Sequence, residues 1–275
     1  MPKPSPVIVK FWGVRGGIAA PGEGTLKFGG NTACTEIRMG GELFVIDCGT
    51  GGRELGRELM GRAPVRLHLL FTDYRWDHIQ GFPFFTPVYI PTSQLDVRGP
   101  VSHGHGVKEM LSAQMKFPVF PIQLEHLNAK FTFQDLSAGE SFQAGSVEVS
   151  TLPGSPETLG YRLEDGERSV VILPEIGEAR GGTGAKAELV RFSRKASLVV
   201  FHATVPASLN GRRPAATRET WDAAVSIARA AKARRMVVFH HSPDDDDRAL
   251  ESLERRARRV FGGALAAYEG MRLEL

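Results

Sequence analysis

The sequence is poor in cysteine. Its 275 residues include two, Cys34 and Cys48, too few for a disulfide framework, so nothing calls for an oxidising compartment. It has no long hydrophobic run either: no stretch nears the roughly 18 apolar residues of a membrane span. The N-terminal stretch MPKPSPVIVKFWG lacks the small-residue cleavage pattern of a signal peptide, so a cytoplasmic location is the expectation. Nor is one sign of charge in excess, since 34 Lys and Arg against 31 Asp and Glu leave a net charge of +3. Nucleic-acid binders carry basic residues clustered on one face, and this balance weakens a nucleic-acid reading without removing it. With 42% apolar and 24% charged residues, the chain matches an ordinary soluble domain and not a disordered, collagen-like or coiled-coil one.

What the sequence does have is eight histidines, enough for a metal site if position allows. Runs such as Val7–Trp12, Leu43–Ile46 and Val65–Phe71 read as strands bounded by Gly, Pro and Asp. So do Val147–Leu152, Leu159–Leu163, Ser169–Leu173, Leu198–His202 and Met236–Phe239. Helices are expected at Arg53–Met60, Val107–Met115, Glu219–Ala233 and Ala249–Phe261; Trp221, Ala224, Val225 and Ala228 keep helical spacing in the third. No repeat, linker or low-complexity block interrupts residues 1–275. A single α/β domain of two similar halves meeting near residue 150 is the reading.

Polar residues at the C-terminal ends of buried strands are where α/β proteins build sites. Four such places stand out: Thr72–His78, Pro174-Glu175, Phe201-His202 and His240–Pro243.

These places, with Phe11–Gly17, Gly29–Thr32, Ile46–Gly51, Trp76–Gly81, Leu159–Arg162 and Phe239–Pro243 in that order, resemble the metallo-β-lactamase fold superfamily. The resemblance lies nearest its phosphodiesterase and RNase Z-like hydrolases and runs from about residue 7 to the C-terminus. It implies a four-layer αβ/βα sandwich and a binuclear metal centre built on a His-x-His-x-Asp-His motif, in which two ions share a hydroxide and clamp a phosphate. The chain departs from that motif in a patterned way. Asp73 and Arg75 stand where two histidines would hold the first ion. The segment expected to give the third histidine carries Gly154 and Ser155 instead. For the second ion, Asp77, His78 and His240 match, and Glu175 replaces a bridging aspartate. His202 stands where an aspartate is expected, and Arg218 replaces a further histidine.

Three readings follow from the resemblance. In the first, the protein has lost its first metal site, is non-catalytic or strongly impaired, and is kept for binding a ligand or a protein, with Arg75 filling the void. In the second, Asp77, His78, Glu175 and His240 hold one zinc or manganese ion, Asp73 serves as general base, and Arg75 and Arg218 neutralise a phosphodiester or related ester. In the third, the old cleft is a phosphate or nucleotide sensor using Arg75, Arg218 and Arg15. Asp47, Asn31 and His241 are expected as structural support, and His202 as a new ligand or a satisfied histidine. His103 and His105 read as a surface loop, and both cysteines as buried thiols. The Arg255–Arg259 cluster reads as a solvated helix face. A partner protein, a phosphate-containing small ligand or a second copy of the chain remain the candidate partners. The last is favoured if Phe82–Phe85 or Met115–Phe120 is exposed.

Overall fold

The computed structural model describes residues 6–154, 157–173, 183–203 and 214–275. Ser155 and Glu175 therefore lie outside the described residues. Two seven-stranded sheets stack face to face. In the first, β1 (Ile8–Gly13), β2 (Cys34–Met39) and β3 (Glu42–Ile46) run as an antiparallel meander. Then β4 (Arg66–Leu70), β5 (Gln94–Pro100) and β6 (Lys130–Leu136) follow in parallel, and the C-terminal strand β14 (Arg272–Glu274) returns to pair with β1.

The second sheet takes β7 (Ser141–Ala144), β8 (Val147–Pro153), β9 (Leu159–Asp165) and β10 (Arg168–Leu173) as antiparallel neighbours. It continues with β11 (Leu198–His202), β12 (Met236–Phe239) and β13 (Ala264–Ala266), all parallel to β10. Parallel strands need crossovers, and helices supply them. These are α1 (Gly51–Met60), α2 (Trp76–Ile79) and α3 (Val107–Gln114) on the first sheet, and α4 (Thr183–Phe192), α5 (Pro214–Ala230) and α6 (Asp247–Val260) on the second.

The layering follows from where the apolar side chains go. Val9 and Phe11 of β1 alternate with half-buried neighbours and pack with Ile37, Phe44, Tyr161, Val170, Val200 and Phe239 between the sheets. Leu55, Leu69, Val97 and Leu111 form an outer layer under the first helices; Val199, Phe201, Trp221, Ala224 and Leu250 form another under the second. The result is the expected αβ/βα sandwich. β11 and β12 are buried at every position because helices cover one face and the other sheet covers the opposite one, so they read as unbroken apolar runs.

The apolar pattern leaves β5, β6, β7, β13 and β14 unannounced. β6 and β7 are edge strands whose alternation is between half-buried and exposed residues, and such strands carry too little contrast to stand out. Phe82 and Phe85 are buried while Phe84 is exposed and meets Phe120 edge-on at 5.6 Å. Met115 is buried, whereas Phe117 and Val119 are exposed. No helix among the described residues is long and apolar enough to cross a membrane.

Candidate metal centre

The C-terminal ends of β3, β4, β11 and β12 meet at one rim of the sandwich. The segment after β4 is held there by backbone contacts: Cys48 N donates to the His78 carbonyl at 2.7 Å, and Gly81 N donates to the Cys48 carbonyl at 2.9 Å. Gly49 lies so close to this segment that a Cβ would run into the Asp77 carbonyl, which is why a glycine closes the turn after β3. Two residues of the rim, Asp47 (φ 58) and His240 (φ 66), hold left-handed backbone, a strained conformation that clusters at functional sites.

Asp77, His78 and His240 are all buried, and their donor atoms converge. His78 Nε2 and His240 Nε2 are 2.7 Å apart, His240 Nε2 lies 2.8 Å from Asp77 Oδ2, and His78 Nε2 lies 3.5 Å from the same oxygen. Gly17 N also donates to Asp77 Oδ2 at 2.7 Å. The other edge of His78 faces Asp73 Oδ1 at 3.1 Å, Thr72 Oγ1 at 3.0 Å and Asp47 Oδ2 at 3.4 Å. Asp47 is itself fixed by the backbone N–H of Thr72 at 2.8 Å and by its hydroxyl.

The electrostatics follow from this geometry. Burial opposes a charge on His78, but Asp73, Asp47 and Asp77 together outweigh it and push its pKa up to about 9. Burial likewise opposes a charge on Asp77, yet the hydrogen bond with His240 and the nearby imidazoles hold its carboxyl well below the usual range. Burial lowers the pKa of His240, and lowers that of His202 well below its ordinary value; His78 and Arg75 add to both shifts.

The donor set fits a transition metal. Ligand atoms about 2.1 Å from a shared ion sit about 3.0–3.4 Å apart, and the three contacts above bracket that spacing. His240 Nε2 carries one proton or one lone pair, yet it faces two such partners at once. His78 presents Nε2 while carboxylates face its Nδ1, the arrangement that fixes the tautomer of a metal-binding histidine. His202 stands beside them: ring nitrogens of His78, His202 and His240 all lie within 4.8 Å of one another, a group of donors that could hold one ion. Its ring stacks on His240 at 5.0 Å and 10°, so it orders that ring.

The remaining expected residues fall as follows. Asp73 accepts from Arg75 N and Arg75 Nε, each at 3.0 Å. It also lies on the Nδ1 edge of His78, so the general-base role is corrected: its carboxylate faces away from the converging donors. Arg75 pairs with Asp73 and keeps 39% of its side chain exposed. Gly154 closes a turn, donating to the Thr158 carbonyl at 2.8 Å, and has no side chain to offer. Arg218 is exposed on α5. Asn31 bonds Glu269 through its amide side chain at 2.9 Å, and its carbonyl accepts from Val14 N and Arg15 N. His241 reaches the Ala267 carbonyl at 2.9 Å, and burial drives its pKa down to about 3.

Arg15 is a second correction. The sensor reading aims it into an open cleft, but it is fully buried, and its Nε and Nη1 donate to backbone carbonyls. Nε bonds Gly29 at 2.8 Å, and Nη1 bonds Ser242 at 2.9 Å and Asp245 at 2.7 Å. It pins the His240 loop to the glycine-rich loop that also supplies the Gly17 amide. The Gly17 amide and the Thr72 hydroxyl were not singled out from the sequence. The amide carries no residue-type signal, and Thr72 entered only as the first residue of the Thr72–His78 segment, without a role of its own.

A stacked αβ/βα sandwich with buried Asp and His donors at the rim of its strands is the architecture of the metallo-hydrolase class. The family model described as the beta-lactamase superfamily domain matches residues 43–241, and the chain belongs to that superfamily. A curated relative, ribonuclease Z of Pyrococcus horikoshii, is 21% identical, the match covering 78% of this chain and 81% of the relative. The solved metallo-beta-lactamase fold protein YhfI of Bacillus subtilis superposes with a TM-score of 0.69 at 18% identity, covering 98% of this chain and all of the other. A diphosphatase from the PhnP family superposes with the same TM-score at 16% identity, covering 98% of each chain.

Proposed function

We propose that this chain is a one-metal member of its superfamily: it binds a phosphate-containing ligand in the former two-metal cleft and is strongly impaired in hydrolysis. One observation carries the reading. Asp77, His78 and His240 keep converging donors, while Asp73 and Arg75, at the positions of two first-ion histidines, are bonded to each other. An ion held by Asp77, His78 and His240 would supply Lewis acidity toward a phosphoryl oxygen. The chain's own residues do the rest. Asp73, Asp47 and Thr72 orient His78, Gly17 N holds the Asp77 carboxylate, and Arg75 brings a guanidinium suited to phosphate oxygens. Without a second ion there is no paired clamp on attacking and leaving oxygens, which is why hydrolysis is weak. The names of the relatives, ribonuclease Z and diphosphatase, support a phosphate ester or anhydride as the ligand class.

Elemental analysis after reconstitution with zinc or manganese tests this. About one equivalent per chain is expected; less than about a tenth overturns it. A second variant, Asp73→His with Arg75→His and Gly154→His, is expected to gain a second equivalent and raise hydrolysis of bis-p-nitrophenyl phosphate. No gain in either means that the ligand register assigned to these positions is wrong.

A further inference from the structure

The balance of 34 cationic against 31 anionic side chains hides an uneven distribution. The donor cluster lies at the C-terminal ends of β11 and β12. At their opposite ends, the turns entering these strands are rich in Arg and Lys: Arg194-Lys195 before β11, and Lys232, Arg234 and Arg235 before β12. The two turns touch, since Lys195 N donates to the Ala231 carbonyl at 2.8 Å and Arg234 N to the Ala196 carbonyl at 2.9 Å. The last turn of α6, with Arg258 and Arg259, leads into β13 next to them; a Cβ on Gly263 would meet the Arg234 carbonyl.

All these cations are exposed. Arg191, Arg194, Lys195 and Arg234 also line a groove of about 800 Å³ whose carboxylates are Glu164 and Glu167. Glu164 is already held by Arg162 through both oxygens. Lys195 and Lys232 both hold left-handed backbone at φ 55, and Lys232 sits where α5 ends with Ala233 N donating to the Ala228 carbonyl at 3.0 Å. That helix-ending position favours glycine, yet lysine occupies it and accepts the strain.

We infer that this pole is a sequence-independent binding site for the phosphate backbone of a nucleic acid, separate from the donor cluster. Arginine outnumbers lysine here, as suits phosphate oxygens. Among the described residues, Val260 is the one exposed large apolar side chain belonging to the elements of this pole, so a membrane surface lacks anchors. The seven cations gather on three neighbouring strand starts about 10 Å across, and contact with about four phosphates of a single strand sets the expected salt dependence.

The test uses a fluorescein-labelled 20-nucleotide single-stranded DNA, followed by anisotropy between 50 and 200 mM NaCl; these are assay settings of about the usual range for such titrations. Expected is binding whose log K falls against log salt with a slope of about −3. The triple reversal Arg194→Glu, Lys195→Glu and Arg234→Glu should weaken it at least about tenfold. The double reversal Arg53→Glu with Arg57→Glu on α1, the same charge change per site on the other outer face, should weaken it far less. Thermal melting by circular dichroism checks that the variants fold. Should the triple reversal fail to fold, the glutamine versions and the wild-type salt slope carry the test. No binding at 50 mM salt, a slope near zero, or equal loss in both reversals overturns the inference. So does binding to phosphatidylserine vesicles without binding to the DNA.

Discussion

His78 Nε2 and His240 Nε2 face each other at 2.7 Å across a distance of 162 residues in sequence. At that separation the two imidazole nitrogens share a proton or turn their lone pairs toward one cation beside them, and Asp77 Oδ2 at 2.8 Å from His240 supplies the third donor. The pair is the geometric centre of the site, and most of what surrounds it aims these rings. The resulting expectations are separable by experiment.

Orientation of His78 is expected to tune metal affinity without contact to the ion. Asp47→Asn weakens the acceptor that Thr72 and the Nδ1 edge of His78 share. Second-layer changes of this kind cost about 10–100-fold in affinity. Competition against a chromogenic chelator reads the shift; an unchanged affinity would show that Asp47 only caps its turn.

Arg15 is expected to be a stability residue. Arg15→Met leaves the carbonyls of Gly29, Ser242 and Asp245 without their buried donor. The loss is about 3 kcal/mol, at the upper end for one abandoned set of buried polar groups. Urea unfolding of the two proteins measures it, and a midpoint within error of wild type would contradict the burial.

The two thiols are expected to be inert. Burial raises the pKa of both Cys34 and Cys48, with nearby Asp47 adding to each shift, so little thiolate exists at neutral pH. A chromogenic disulfide reagent should titrate no thiol in the native protein and two in denaturant. Rapid native reaction would place a cysteine at the surface.

Acid sensitivity is expected at Asp96, on β5. Burial raises its pKa, but His68 at 3.0 Å, Arg98 at 2.8 Å and Thr132 at 3.0 Å outweigh this and lower it. A depressed carboxyl contributes stability that is present above its unfolded pKa of about 3.9 and lost as pH falls through the lower folded value. The stability gap between wild type and Asp96→Asn should therefore be constant above about pH 5 and close below about pH 4. A gap that widens in acid has the wrong sign for this assignment.

Much of the fold was legible because its signals are local. The runs that became β3, β4, β11 and β12 are apolar and bounded by turn residues, and Trp221, Ala224 and Val225 keep one buried helix face. β6 escaped because Phe131 and Phe133 alternate with exposed polar residues on an edge. In the site, Asp77, His78 and His240 were singled out by the resemblance to the superfamily's motif. The direction of Asp73 was not legible, since a residue's name does not say which edge of an imidazole it faces.

By itself the sequence determined the superfamily and the strand ends that bear the candidate site, and it puts Asp73 and Arg75 in the segment leading to the Asp77-His78 pair. These are properties of residue order, and order is what periodicity and motifs read. Only the tertiary structure decided that Arg15 is buried against three carbonyls, that His202 lies beside the donor cluster, and that the cations of three separate turns share one pole. Strand pairing and sheet stacking bring together residues far apart in the chain. Burial and charge clustering are sums over those neighbours, which a count of eight histidines or a net charge of +3 does not contain.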